Sequence, residues 1–238
     1  YKKLMDGYAR RISEIQDEDG KLTLHKQMFP EGTDSGFVSG YYPGEAIFGL
    51  MSLYELTGNK RWLDVASNAA KWLITVRDGE KTIDTLDHDH WLLYGLELVY
   101  KHNKQEIFLN QAKKIVNAIV KSQSLQRDYQ DEIGSWYSKP RSTPAATRVE
   151  GLMAAYRLFQ SVDDKQMAKR IFETAERSIR YQLATQLRKE SVMYLQDPAR
   201  SLGGFRESLT EYDIRIDFVQ HNISALLAFS DALAMQGS

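Results

Sequence analysis

The chain has 238 residues, with 31 Lys+Arg against 32 Asp+Glu and no cysteine. The balanced charge argues against nucleic acid as a partner, because phosphate binding needs a basic excess or a clustered one. Without cysteine these residues form neither a disulfide nor a thiolate metal site, and no apolar run approaches the ~20 residues of a membrane span. The compartment stays open. The chain begins at Tyr1, not Met, and the expectation is one domain over residues 1–238, cut from a longer chain with further domains.

A leading helix is expected from about Lys2 to Gln16. The stretch Ser35-Gly36-Phe37 then leads into a helix containing Gly49-Leu50-Met51-Ser52-Leu53-Tyr54. A turn, Thr57-Gly58-Asn59, separates it from a second helix with apolar positions Trp62, Leu63, Ala66, Ala69, Ala70 and Leu73, spaced by three and four. The first segment recurs as Gly95-Leu96-Glu97-Leu98-Val99-Tyr100, and the second as Phe108, Leu109, Ala112, Ile115, Val116 and Ile119, both offset by 46 residues. A whole helical hairpin is therefore repeated.

A third copy, Gly151-Leu152-Met153-Ala154-Ala155-Tyr156, opens a hairpin from about Ala145 to Leu187 that turns near Asp163-Asp164. A weaker fourth, Ala225-Leu226-Leu227-Ala228-Phe229, lies on a helix from about Gln220 to Met235 with no second helix. Eight helices in four pairs are predicted. The turns inside hairpins are short, whereas the connections between hairpins are long and carry aromatic and charged residues. Long connections in compact domains usually carry function. A tetratricopeptide-type solenoid would repeat near 34 residues, but here the spacings are 46, 56 and about 74. The pattern favours an all-α ring of helical hairpins, an α/α toroid of about four pairs, with long loops and minor β-like segments at one face.

Tyr42-Pro43-Gly44-Glu45-Ala46 leading into Leu53-Tyr54, followed by Thr57-Gly58-Asn59-Lys60-Arg61-Trp62-Leu63 and Ala66, resembles the hairpin unit of α/α-toroid proteins. That superfamily includes six-hairpin glycosidases, unsaturated glucuronyl hydrolases, N-acylglucosamine 2-epimerase-like enzymes and uronic-acid C5-epimerase-like domains. Members commonly use six or more hairpins, so four make a small ring or part of one. The resemblance implies a carbohydrate ligand and acid/base chemistry, as hydrolase, lyase or epimerase. It specifies fold more than family and transfers no catalytic residue.

Aligning the repeats on Leu50, Leu96, Leu152 and Leu226 makes Glu45, Trp91, Thr147 and His221 equivalent. In a ring, Glu45, His90, Arg148, Glu150, Gln220 and His221 would converge at one mouth, a set suited to binding and proton transfer. Glu45 equally fits a first helical turn, where a carboxylate meets the helix dipole. Arg148 and Glu150 are two apart and share no helix face.

The densest titratable cluster is Asp84, Asp87, His88, Asp89 and His90. Its carboxylates suit glycoside hydrolysis if their environments divide acid from base, and either Asp87 or Asp89 suits an N-cap. His90, His221, Asp87 and Asp89 are therefore the catalytic candidates. A His-x-His pair with Asp also suits a divalent ion, but no second ligand pair has matching spacing. Neither a metal nor a cofactor is expected.

Around Arg206, Arg215 and Asp217 the residues Ile214, Ile216 and Phe218 alternate with charged ones, a strand-like period. Guanidinium groups there would grip an anionic or hydroxyl-rich ligand, or form a lattice that fixes the loop. Tyr42, Trp91 and Trp136 supply aromatic faces on the same loops. The substrate-binding candidates are thus Glu45, Arg148, Glu150, Arg206, Arg215, Asp217, Tyr42, Trp91 and Trp136. There is no phosphate-binding loop, dinucleotide fingerprint or nucleophile elbow, which sets aside kinases, dehydrogenases and serine hydrolases. The rival to an enzyme is a non-catalytic toroid that binds glycan or protein within a larger protein.

Overall fold

Helices of 13–21 residues, several paired as hairpins, account for more than half of the computed structural model, which describes residues 1–236. In chain order they are α1 (Lys2–Glu14), α2 (Tyr42–Thr57), α3 (Lys60–Trp72), α4 (His90–His102), α5 (Glu106–Ser122), α6 (Ser142–Ser161), α7 (Lys165–Thr185), the short α8 (Lys189–Val192) and α9 (Pro198–Ser201), and α10 (Ile216–Gln236). Among the described residues no helix is long and apolar enough to cross a membrane. The chain divides into two compact units, Tyr1–Ala118 and Ile119–Ser238.

In the first unit α2 packs on α3 and α4, and α1 packs on α2. The α2–α3 turn works because Gly58 takes the left-handed conformation (φ 69°) and its N–H bonds back to the Tyr54 carbonyl, closing α2. The side chain of Asn59 then accepts from the Arg61 N–H at 3.1 Å and opens α3. The repeated glycine does not play one role in both copies. At Gly95 a Cβ would lie 2.6 Å from Ile47 Cγ2, so the α2–α4 approach depends on that glycine, but at Gly49 nothing lies within 4 Å.

In the second unit α6 is buried around nearly its whole circumference, from Ala145 to Phe159, and packs on α7 and α10. A helix enclosed in this way needs apolar residues on all faces. The run Gly151-Leu152-Met153-Ala154-Ala155-Tyr156 supplies them, and each of these large side chains contributes on the order of 2 kcal/mol by leaving water. Asp163 takes a left-handed turn position (φ 58°), and the Asp164 carboxylate caps α7 at the Met167 N–H.

The expected strand-like stretch around Ile214–Phe218 reduces to one antiparallel bridge, Arg206 with Ile214, beside another between Gln186 and Phe205. Helix α10 already begins at Ile216, four residues before its expected start. The reason is that Phe218, Asn222, Ala225, Phe229 and Ala232 are buried at helical spacing. That buried stripe outweighs the two-residue alternation before it.

Candidate active site

In the unit Tyr1–Ala118, α3 runs into a π-helical turn, Leu73–Arg77, which sets Arg77 and Asp78 side by side. Asp78 is fully buried. It accepts from Arg77 Nε at 2.9 Å and Nη2 at 2.7 Å, from Gln111 Nε2 at 3.2 Å, and pairs with Lys81 Nζ at 3.1 Å. Asp89 is the N-cap of α4, accepting from the Leu92 N–H at 2.9 Å, and its other oxygen accepts from Arg77 Nη1 at 2.9 Å. Burial raises the Asp89 carboxyl above the usual carboxylate range, against the lowering pull of Arg77 and of the Leu92 N–H. Burial alone would lower Arg77, but the hydrogen bonds and charges of Asp78 and Asp89 outweigh it and hold the guanidinium above its ordinary value.

Two of the catalytic candidates, Asp87 and Asp89, make ion pairs with neighbouring side chains. Asp89 has both oxygens committed to a helix cap and an ion pair. Asp87 is 74% exposed and bridges to Lys81 Nζ at 2.7 Å, a solvated pair at the loop surface. His90 is buried at the first position of α4, with its ring between Trp91 (centroids 5.1 Å apart) and the edge of Tyr41 (6.1 Å). Trp91 also lies against Phe48 and Tyr94 in an aromatic cluster. Glu45 is exposed in the first turn of α2, where the helix dipole favours it. Tyr42 packs its ring 5.2 Å from His25, and burial raises its phenol pKa despite the charge of Arg11.

In the unit Ile119–Ser238, α6 and α10 bring together two residues 71 apart in sequence. Glu150 Oε2 and His221 Nδ1 are 2.8 Å apart, with the carboxylate side chain 4% exposed and the imidazole 17%. A nearly buried carboxylate bonded to an imidazole can pass a proton between the two groups. A carboxylate oxygen and an imidazole nitrogen are also atoms of the kind divalent cations accept as ligands.

Arg148 turns the other way, as its two-residue offset from Glu150 requires. Its guanidinium lies over Trp136 (5.3 Å) and Tyr137 (4.8 Å), and donates to the Pro144 carbonyl at 2.7 Å and to Tyr137 Oη at 2.6 Å. Trp136, expected on a rim, is instead closed into the core, with its indole N–H donated to the Ile119 carbonyl at 3.0 Å. The half-exposed aromatic beside Arg148 is Tyr137, which holds a left-handed backbone (φ 69°) unusual for a bulky residue. Arg127 donates to its carbonyl.

Arg215 and Asp217 pair with each other at 3.0 and 3.1 Å on an exposed surface, the lattice alternative. Gln220 is exposed. Arg206 packs over the Tyr212 ring at 4.7 Å. Sequence reasoning missed Arg77 and Asp78, and it placed Trp136, the neighbour of Tyr137 among the loop aromatics, in the binding set. A π-helical turn has no spacing signature that would have exposed the first two. The Trp136-Tyr137 pair left open which ring would face outward.

The hairpins α2–α3 and α6–α7 fit the expected all-α toroid fold, and comparison with known families agrees. Residues 1–182 match the family described as Beta-L-arabinofuranosidase, GH127 catalytic domain. The matched stretch includes His90, Arg148 and Glu150 and ends before Arg206 and His221. No curated protein and no solved structure matches the chain. A match over more than three quarters of the residues decides the family: the chain belongs to the beta-L-arabinofuranosidase GH127 catalytic-domain family, a carbohydrate-active, six-hairpin glycosidase-like branch of the α/α-toroid superfamily.

Proposed function

We propose that this chain hydrolyses a glycosidic bond of an oligosaccharide, with Glu150 and His221 moving the proton. The observation that carries the reading is the 2.8 Å contact between the buried Glu150 carboxylate and the His221 imidazole. Glycoside hydrolysis needs a group that protonates the leaving oxygen and one that assists attack at the sugar carbon. A carboxylate–imidazole pair shares one proton and can serve the first of these tasks. With no cysteine in these residues, neither task falls to a thiolate.

The family description makes a β-L-arabinofuranoside the first substrate to assay. Release of L-arabinose from a synthetic aryl β-L-arabinofuranoside, lost in Glu150→Gln and His221→Asn, is the expected result. A second reading, a glycan-binding or protein-binding domain without turnover, draws on the engagement of Asp89 and Arg148 with structural partners. Binding of arabinofuranosyl oligosaccharides without product, unchanged by Glu150→Gln, would support that alternative and overturn the hydrolase.

A further inference from the structure

We propose that the unit Ile119–Ser238 carries a second glycan subsite, which takes a carboxylate-bearing sugar residue in the cavity ringed by Arg180, Arg188 and Arg206. This goes beyond the proton-transfer reading and does not depend on it. The cavity has a volume of about 470 Å³ and lies where the end of α7 meets the segment 186–191 and Arg206. That is within the range of small-molecule sites. Of its lining residues, all but Asp131 and Arg180 lie beyond residue 182, outside the stretch matched to the glycosidase family.

Arg206 is held as a prepared donor. Its backbone N–H bonds to the Thr185 carbonyl at 3.2 Å, its carbonyl accepts from Ser142 Oγ at 2.8 Å, and its residue bridges Ile214. The guanidinium is fixed over Tyr212, and Nη2 reaches the Ala184 carbonyl only at 3.5 Å. Nε is buried and meets no acceptor among the described residues. A buried donor without an acceptor is costly, and an oxyanion that displaced the long Ala184 contact and drew the guanidinium outward would complete its fork with Nε. Tyr181 Oη is buried without a partner in the same way. Burial and then Glu132 push its phenol pKa up, while Arg206 and Arg127 act in the opposite direction, so these charges lie within reach of it.

The charge balance narrows the ligand. Two acids, Asp131 and Glu190, stand among the three arginines of the lining, so a monoanion suits the site better than a multivalent anion. One nitrogen of Arg180 is already taken by Glu176 at 2.7 Å. Carboxylates among the arginines would repel a bare multivalent anion but accept hydrogen bonds from sugar hydroxyls. A uronic acid presents both groups, a carboxylate for the arginines and hydroxyls for the acids.

Calorimetric titration of the full 238-residue chain with D-galacturonic acid tests this, with D-galactose and inorganic phosphate as comparison probes. Galacturonate is expected to bind, and galactose at least about tenfold more weakly. Arg206→Lys, which keeps the charge but removes the fork, is expected to weaken galacturonate by about tenfold, as is Arg188→Gln. Arg188 is exposed, so its variant tests the site without touching the packing around Arg206. Equal affinity for galactose, phosphate binding as tight as galacturonate, or unchanged affinity in both arginine variants would overturn the proposal. So would loss of galacturonate binding in Glu150→Gln, which would place the sugar at the other site.

Discussion

Asp78 and Asp89 in Tyr1–Ala118 and Glu150 in Ile119–Ser238 are all buried carboxylates, yet their surroundings differ in kind. Around Asp78 and Asp89 an arginine, a lysine, a glutamine and a helix N-terminus fill the acceptor positions. Such an arrangement holds structure, because moving any one partner strands a buried charge. Glu150 instead meets the His221 imidazole, at 2.8 Å. Of the dense cluster in sequence, Asp89 thus joins Asp78 around one arginine, whereas Glu150 and His221 meet across 71 residues.

Variants that attack each region separately break or sharpen this contrast. The largest expected effect is on catalysis: Glu150→Gln should lower kcat by about 10²–10⁴-fold, the usual worth of a positioned acid or base, while the melting temperature moves little because the shape is kept. Steady-state kinetics alongside calorimetry reads both, and a large fall in stability with full turnover would move Glu150 to the structural side. Next comes Arg77→Met, which leaves Asp78 and Asp89 without their shared cation. Urea unfolding should show a loss of about 3–5 kcal/mol, the cost of breaking one partner out of a buried pair.

The third effect is a pH dependence. Because the folded-state pKa of Asp89 is raised, the native state holds its proton longer than the unfolded chain. Its contribution to stability is therefore greatest below the ordinary carboxylate value and declines as pH rises through the interval up to the raised one. Urea midpoints measured across acidic pH should show that decline in the parent chain and a flatter profile in Asp89→Asn; parallel profiles would refute it. Glu55 behaves oppositely. Hydrogen bonds from Lys101 and His102 lower its pKa, so its stabilisation is present above the ordinary value and is lost as pH falls through the lowered one. The pair is partly exposed, so Glu55→Gln should cost only about 0.5 kcal/mol at neutral pH and less in high salt.

Much of the architecture was legible before any coordinates. The 46-residue repeat, the Thr57-Gly58-Asn59 turn and the Asp163-Asp164 turn describe local events, governed by spacing, left-handed turn positions and caps. The choice between Asp87 and Asp89 as the cap was not legible, because both types suit it. It was decided by Arg77, which is brought alongside by the π-helical turn. Trp136 and Tyr137 were equally ambiguous, since adjacent aromatics in a loop carry no signal for which one faces the core.

The local order of residues determined the helical hairpins and their turns, because helix periodicity and capping act over fewer than ten residues. Only tertiary structure decided which polar groups meet. Arg148 and Glu150 leave α6 in different directions toward different neighbours, and His221 reaches Glu150 only because α10 packs on α6. Burial then separates a carboxylate saturated with partners from one that shares a hydrogen bond with an imidazole, and that distinction depends on desolvation and distance, which spacing along a chain does not encode.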